Sequence, residues 1–133
     1  DEQEVSPAYL FEVFRWRITF NFQQSLSAVR FAVNEQGEIS IVLQYTDAAT
    51  VRGGMLQWEE RMSDDVRTVY PDLTSADQAS QFTDTTIAGF DVRQLLSPEN
   101  EPLLLYGVTD TNVLIITRSP AEFTRLVNQG FVE

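Results

Sequence analysis

Carboxylates are the densest reactive side chains of this sequence: Glu59-Glu60 and Asp64-Asp65 lie close together, and Asp84, Asp91 and Asp110 follow. Two acidic groups whose surroundings drive their pKa values apart can act as general acid and general base, the chemistry of hydrolases and lyases. Other common chemistries lack their residues. The 133 residues contain no histidine, cysteine or lysine, which excludes imidazole acid-base catalysis, thiolate attack, Schiff bases and a P-loop lysine. The nitrogen and sulfur ligands of a zinc site are missing with them. No Asp-x-Asp-x-Asp-Gly spacing marks a calcium loop, and no Gly-x-Ser-x-Gly elbow or Ser-x-x-Lys motif offers a serine nucleophile. No catalytic residue, metal site or cofactor is therefore assigned.

The elements that carry these carboxylates argue the same way. Val51, Met55, Trp58, Met62, Val66 and Val69 recur every three or four residues, one face of a helix of about six turns capped by Asp47 and ended by Pro71. Both acidic pairs lie largely off that stripe and mix with Arg61 and Arg67, so they read as a solvated helix face. Asp110 belongs to a turn, Thr109-Asp110-Thr111-Asn112. Asp91 and Arg93 flank Val92 on one strand and read as an ion pair. Carboxylate hydrolysis or lyase chemistry through Asp84 and Asp91 is the third of three functional readings.

All nine basic residues are arginine, against 20 acidic residues, for a net charge of −11. Such a charge repels nucleic-acid backbones and anionic lipid surfaces, so nucleic-acid binding is excluded. The missing lysine suits a GC-rich genome or adaptation to high salt. Arg15, Arg17 and Arg30 gather a third of the positive charge opposite an aromatic stripe. There they would hold an acidic partner, a carboxylate ligand or the acidic surface of a second copy, or else pair with local carboxylates such as Glu12 or Glu38.

That stripe is Phe14, Trp16, Ile18, Phe20 and Phe22, alternating with polar residues as in a half-buried strand. It reads as core packed under the long helix. The alternative is a cavity between strand and helix, lined by Trp16, Phe20, Met55, Trp58 and Met62, that carries a small apolar or lipid-like ligand.

Further strands follow at Val29 to Val33 and, after the turn Asn34-Glu35-Gln36-Gly37, at Ile39 to Tyr45. In the second half Ile87, Phe90 and Val92 share a face if Ala88-Gly89 is a bulge. Leu103 to Val108 and Val113 to Thr117 are continuous apolar runs that belong at the centre of a sheet covered on both faces. Ser119-Pro120-Ala121-Glu122 reads as a capping box opening a closing helix. Gly53-Gly54 inside the long helix implies close packing on the sheet. The expected fold is one α+β domain over residues 1 to 133: an antiparallel sheet of about six strands in two βββα units, with two helices on one face. The length suffices to bury roughly two-thirds of the unfolded chain's surface. Residues 1 to 8 read as a linker or cut end, and residues 72 to 80 as an exposed connection. The acidic opening is unlike a signal peptide, and no run reaches the ~20 apolar residues that cross a bilayer, so no membrane insertion by this segment is expected.

Trp58-Glu59-Glu60, Asp64-Asp65-Val66, Phe82-Thr83-Asp84, Asp91-Val92-Arg93 and Leu114-Ile115-Ile116-Thr117 resemble landmarks of uncharacterised α+β domains in membrane-anchored bacterial proteins, over roughly residues 55 to 127. The resemblance implies no function and shifts the expected location toward the extracytoplasmic side of a membrane. The leading functional expectation is a non-enzymatic interaction or structural module of a larger protein. It would contact a protein partner or a second copy through its sheet face or an edge strand.

Overall fold

The structure, a computed structural model, describes residues 2–73, 82–109 and 112–129. Among these the chain runs β1 (Glu2–Val5), α1 (Tyr9–Glu12), α2 (Phe20–Ser25), β2 (Leu26–Val33), β3 (Ile39–Tyr45), α3 (Ala48–Asp65) and a 3-10 turn, Val66–Thr68. It continues through β4 (Phe82–Ile87), β5 (Phe90–Leu96), β6 (Pro102–Val108), β7 (Val113–Thr117) and α4 (Pro120–Gln129). The fold is α+β, and its antiparallel sheet has seven strands rather than about six, in the order β1-β2-β3-β7-β6-β5-β4. The apolar runs β6 and β7 lie inside the sheet, as their composition requires.

Alternation along each strand sends side chains to two separate cores. Ile41, Leu43, Leu104, Leu114 and Ile116 meet Val51, Met55, Trp58 and Met62 of α3 on one face. Val42, Val92, Leu105 and Ile115 meet Phe123 and Leu126 of α4 on the other. The helices therefore cover opposite faces, not one. Both inner strands are apolar on each side, and each side needs its own cover. Gly107 makes the α4 contact possible, since a Cβ there would stand 2.8 Å from the Phe123 ring. The arrangement also removes a symmetric βββα duplication. A twofold axis relating the antiparallel neighbours β3 and β7 runs normal to the sheet and would leave both helices on one face.

Further expectations change. Phe14 to Phe22 is not a strand. Trp16 and Ile18 alternate inward as predicted, but the backbone there joins no ladder, and the chain enters α2 at Phe20 with Thr19 Oγ1 accepting from Phe22 N at 3.1 Å. Nor is the N-terminus only a linker: Glu2–Val5 pairs antiparallel with β2, Glu4 opposite Arg30. Ala88 and Gly89 form a two-residue hairpin turn, both at positive φ, where a bulge was expected. Gly54 is tightly packed, but against α2 rather than the sheet: a Cβ would lie 2.8 Å from Phe22 Cδ2, while Gly53 has open space. In the connection after Pro71, Leu73 is buried, and residues 74 to 80 lie outside the described residues.

Candidate functional site

Asp65 is the most heavily used carboxylate of α3. Spaced three residues after Met62 and seven after Trp58, it falls on the apolar stripe and is buried. Its oxygens accept from Trp58 Nε1 at 2.7 Å, Arg17 N at 2.7 Å and Arg17 Nε at 2.9 Å. The Asp65 hydrogen bond raises the Arg17 pKa, assisted by the charges of Asp65 and Asp64. Trp16 Nε1 donates to Thr68 Oγ1 at 2.9 Å beside it. The network fastens the extended segment before α2 to the end of α3. The helical spacing from Met62 was the signal that separated Asp65 from its solvated neighbours.

Glu59 forms the second hub, with its side chain only 12% exposed. Arg93 grips it at both carboxylate oxygens, Nε to Oε2 and Nη2 to Oε1 at 2.8 Å each, and Tyr106 donates its hydroxyl to Oε2 at 2.5 Å. Burial first, then the bond to Glu59, pushes the Tyr106 phenol well above its ordinary range. The expected Asp91-Arg93 pair does not form. The cross-strand neighbour of Arg93 is Asp84, at 3.0 Å, whereas Asp91 faces Thr86 and is exposed. The Asp84 side chain is 85% exposed, and Asp91 is exposed as well. Asp110 lies outside the described residues. Among the described residues no cluster of three or more acidic groups is placed to hold a metal ion, and no helix is long and apolar enough to cross a membrane.

The three arginines assigned to a partner do not share a face. Arg17 points to the α3 side, held by Asp65. Arg30 aligns with Val42 on the α4 side of β2 and pairs with Glu4 at 3.5 Å, in place of Glu12 or Glu38. Arg15 is exposed in the bend between α1 and α2, at φ +58°. Of the five residues assigned to a ligand cavity, four stay together and one stands apart. Trp16, Met55, Trp58 and Met62 are packed into the core, and Phe20 is 67% exposed on α2.

A concave apolar surface does exist, at a place the sequence did not reveal. A groove of about 580 Å³ opens on the α3 side of β1, β2 and β3. It is lined by Phe31 and Val33 of β2, Ile39 of β3, Tyr9 and Phe14, Thr68-Val69, and Gln3 and Val5 of β1. Phe14 is fixed there by edge contacts to Tyr9 and Phe31, with centroids 5.1 and 5.8 Å away. β1 terminates the sheet, so its outer backbone edge has no neighbouring strand among the described residues. One row of paired residues crosses all seven strands on this face: Gln3, Phe31, Ile41, Ile116, Tyr106, Arg93 and Asp84. Its far end is closed by the Glu59 hub, and its β1 end opens at the groove.

No protein-family model matches the chain, and no curated protein matches it significantly.

Proposed function

We propose that this domain is a non-enzymatic interaction module that receives an extended segment of a protein partner along β1, beside the apolar groove. The observation that supports this reading is the coincidence of an open strand edge with a groove that the same strand lines. In strand addition the edge supplies main-chain hydrogen bonds, and adjacent depressions select alternate side chains. A panel of displayed random peptides, panned against the domain and counter-screened with Val33→Glu and Tyr9→Ser, tests it. Val33 and Tyr9 are partly exposed groove residues, so both variants should stay folded, Tyr9→Ser with a small loss of stability from its ring contact to Phe14. Peptides that bind the parent and lose about tenfold or more on the variants support the module. No enrichment, or binding indifferent to both substitutions, overturns it.

The groove's volume gives a second reading its only specific support, since about 300–1,000 Å³ is the usual range of small-molecule sites. In that reading the domain carries an apolar ligand between Phe14 and Phe31, not beside the buried Trp58. Native mass spectrometry of the purified domain separates the two. A retained small-molecule mass lost on Val33→Glu favours the carrier, and a bare chain that still binds panned peptides favours the module.

A further inference from the structure

We infer that the segment received at β1 is basic, with arginine or lysine alternating with apolar residues. The inference rests on the β1-edge reading above and adds the partner's chemistry to it. A strand lying against β1 sets every second side chain on the face of Gln3 and Val5, the β1 residues that line the apolar groove. The intervening side chains fall on the face of Glu4. That carboxylate contacts Arg30 only at 3.5 Å and keeps 62% of its side chain exposed, so it can take a second cation. Glu35 and Glu38, exposed in the turn after β2, add negative charge next to Val33 and Ile39, and the whole chain carries −11. Two alternating requirements follow, apolar on one side and cationic on the other.

The same charges argue against a second copy as the occupant. Pairing β1 with β1 of another molecule would bring the exposed Glu4 of each, and two chains of net charge −11, together. Like charges placed opposite are destabilising, and charged residues are a common guard against edge-to-edge association. A basic strand turns this repulsion into attraction, so one feature both prevents self-assembly and selects the partner.

Isothermal titration of the domain with acetyl-Arg-Val-Arg-Val-Arg-Val-Arg-amide tests the inference. Controls are the same peptide with glutamate for arginine and one with proline for the central valine. The basic peptide should bind at least about tenfold more tightly than either control. Its advantage over the glutamate peptide should shrink as salt shortens the Debye length from about 10 Å at 0.1 M to about 3 Å at 1 M. Glu4→Gln should weaken it about two- to fivefold. Equal binding of the glutamate peptide overturns the charge inference and leaves the edge reading standing. Equal binding of the proline peptide, which keeps the charge but disrupts the strand, reduces the effect to adsorption and overturns both. Failure of the basic and acidic peptides alike also overturns both.

Discussion

The indole rings of Trp16 and Trp58 lie 5.0 Å apart, and their N–H groups donate to Thr68 and Asp65, two residues of a single turn. Thr68 Oγ1 donates in its turn to the Asp65 carbonyl at 3.0 Å, so both indoles are tied to the segment where α3 passes into the 3-10 turn. Beyond the end of α1, where Phe14 N and Trp16 N donate to the Tyr9 and Leu10 carbonyls, the backbone at Arg17 is held by a side chain in place of a neighbouring strand.

Asp65→Ala should therefore be among the most damaging single changes on α3. It strips acceptors from the Trp58 indole and from the backbone and side chain of Arg17, in a buried site, and should cost about 2–4 kcal/mol. Arg17→Ala leaves Asp65 its other donors at a half-exposed site, and should cost about 1 kcal/mol. Urea unfolding of both variants checks the order. Equal losses would mean that the indole and backbone bonds contribute nothing.

At the second hub, Glu59→Leu should destabilise by about 2–3 kcal/mol, because it leaves the Arg93 guanidinium and the Tyr106 hydroxyl without their shared acceptor. Adding Arg93→Met and Tyr106→Phe should recover most of that loss, since removing all partners avoids stranding any of them. A triple variant no more stable than the single one would contradict this account.

The adjacent glycines of α3 should respond with opposite signs. Gly53→Ala adds a methyl in open space within a helix and should stabilise by about 0.5–1 kcal/mol. Gly54→Ala drives a methyl into the Phe22 ring and should destabilise by about 1–3 kcal/mol. Thermal melts decide it, and two changes of the same sign would displace α2 from its position against α3.

High pH should unfold the protein. Burial raises the phenol pKa of Tyr70, and burial with the Glu59 bond raises that of Tyr106. In the unfolded chain both phenols ionise near about 10, so above that pH the unfolded state has lost more protons and stability falls as pH rises. The urea midpoint should stay level to about pH 9 and decline beyond about pH 10, less steeply in a Tyr70→Phe, Tyr106→Phe variant. Complete tyrosinate absorbance in the folded protein near pH 10 would contradict the burial of these rings.

Much of this fold was legible where burial and hydrogen bonding change together. The alternation of β2 and β3, the apolar runs of β6 and β7, the Asp47 cap and the Val51 to Met62 stripe each became the expected element. The segment around Trp16 separates the two properties. Trp16 and Ile18 turn inward as in a strand, but the intervening Arg17 N–H goes to Asp65, and periodicity carries no record of which group satisfies a backbone donor. β1 was missed for the converse reason: Glu2-Gln3-Glu4 has a strand's pairing without apolar alternation, as charged edge strands do. Ala88 lies at φ +55°, a conformation alanine rarely adopts, so Ala-Gly did not signal a hairpin. The groove escaped because α1, β1 and the segment at Val69 meet only in three dimensions.

The join between β3 and β7 has a consequence for the order of assembly. β1 to β3 and β4 to β7 each pair through neighbours in sequence, so each can form from local encounters. Their seam must unite residues as distant as Ser40 and Thr117, 77 positions apart, whose hydroxyls meet at 3.0 Å. Closing so long a loop costs entropy before the seam returns any contact, so the seam should form late in folding and leave two sheet edges bare until then. A chain stalled there would expose the apolar rims of Ile41 and Ile116 to its neighbours, so misassembly should begin at the middle of this sheet rather than at its charged border.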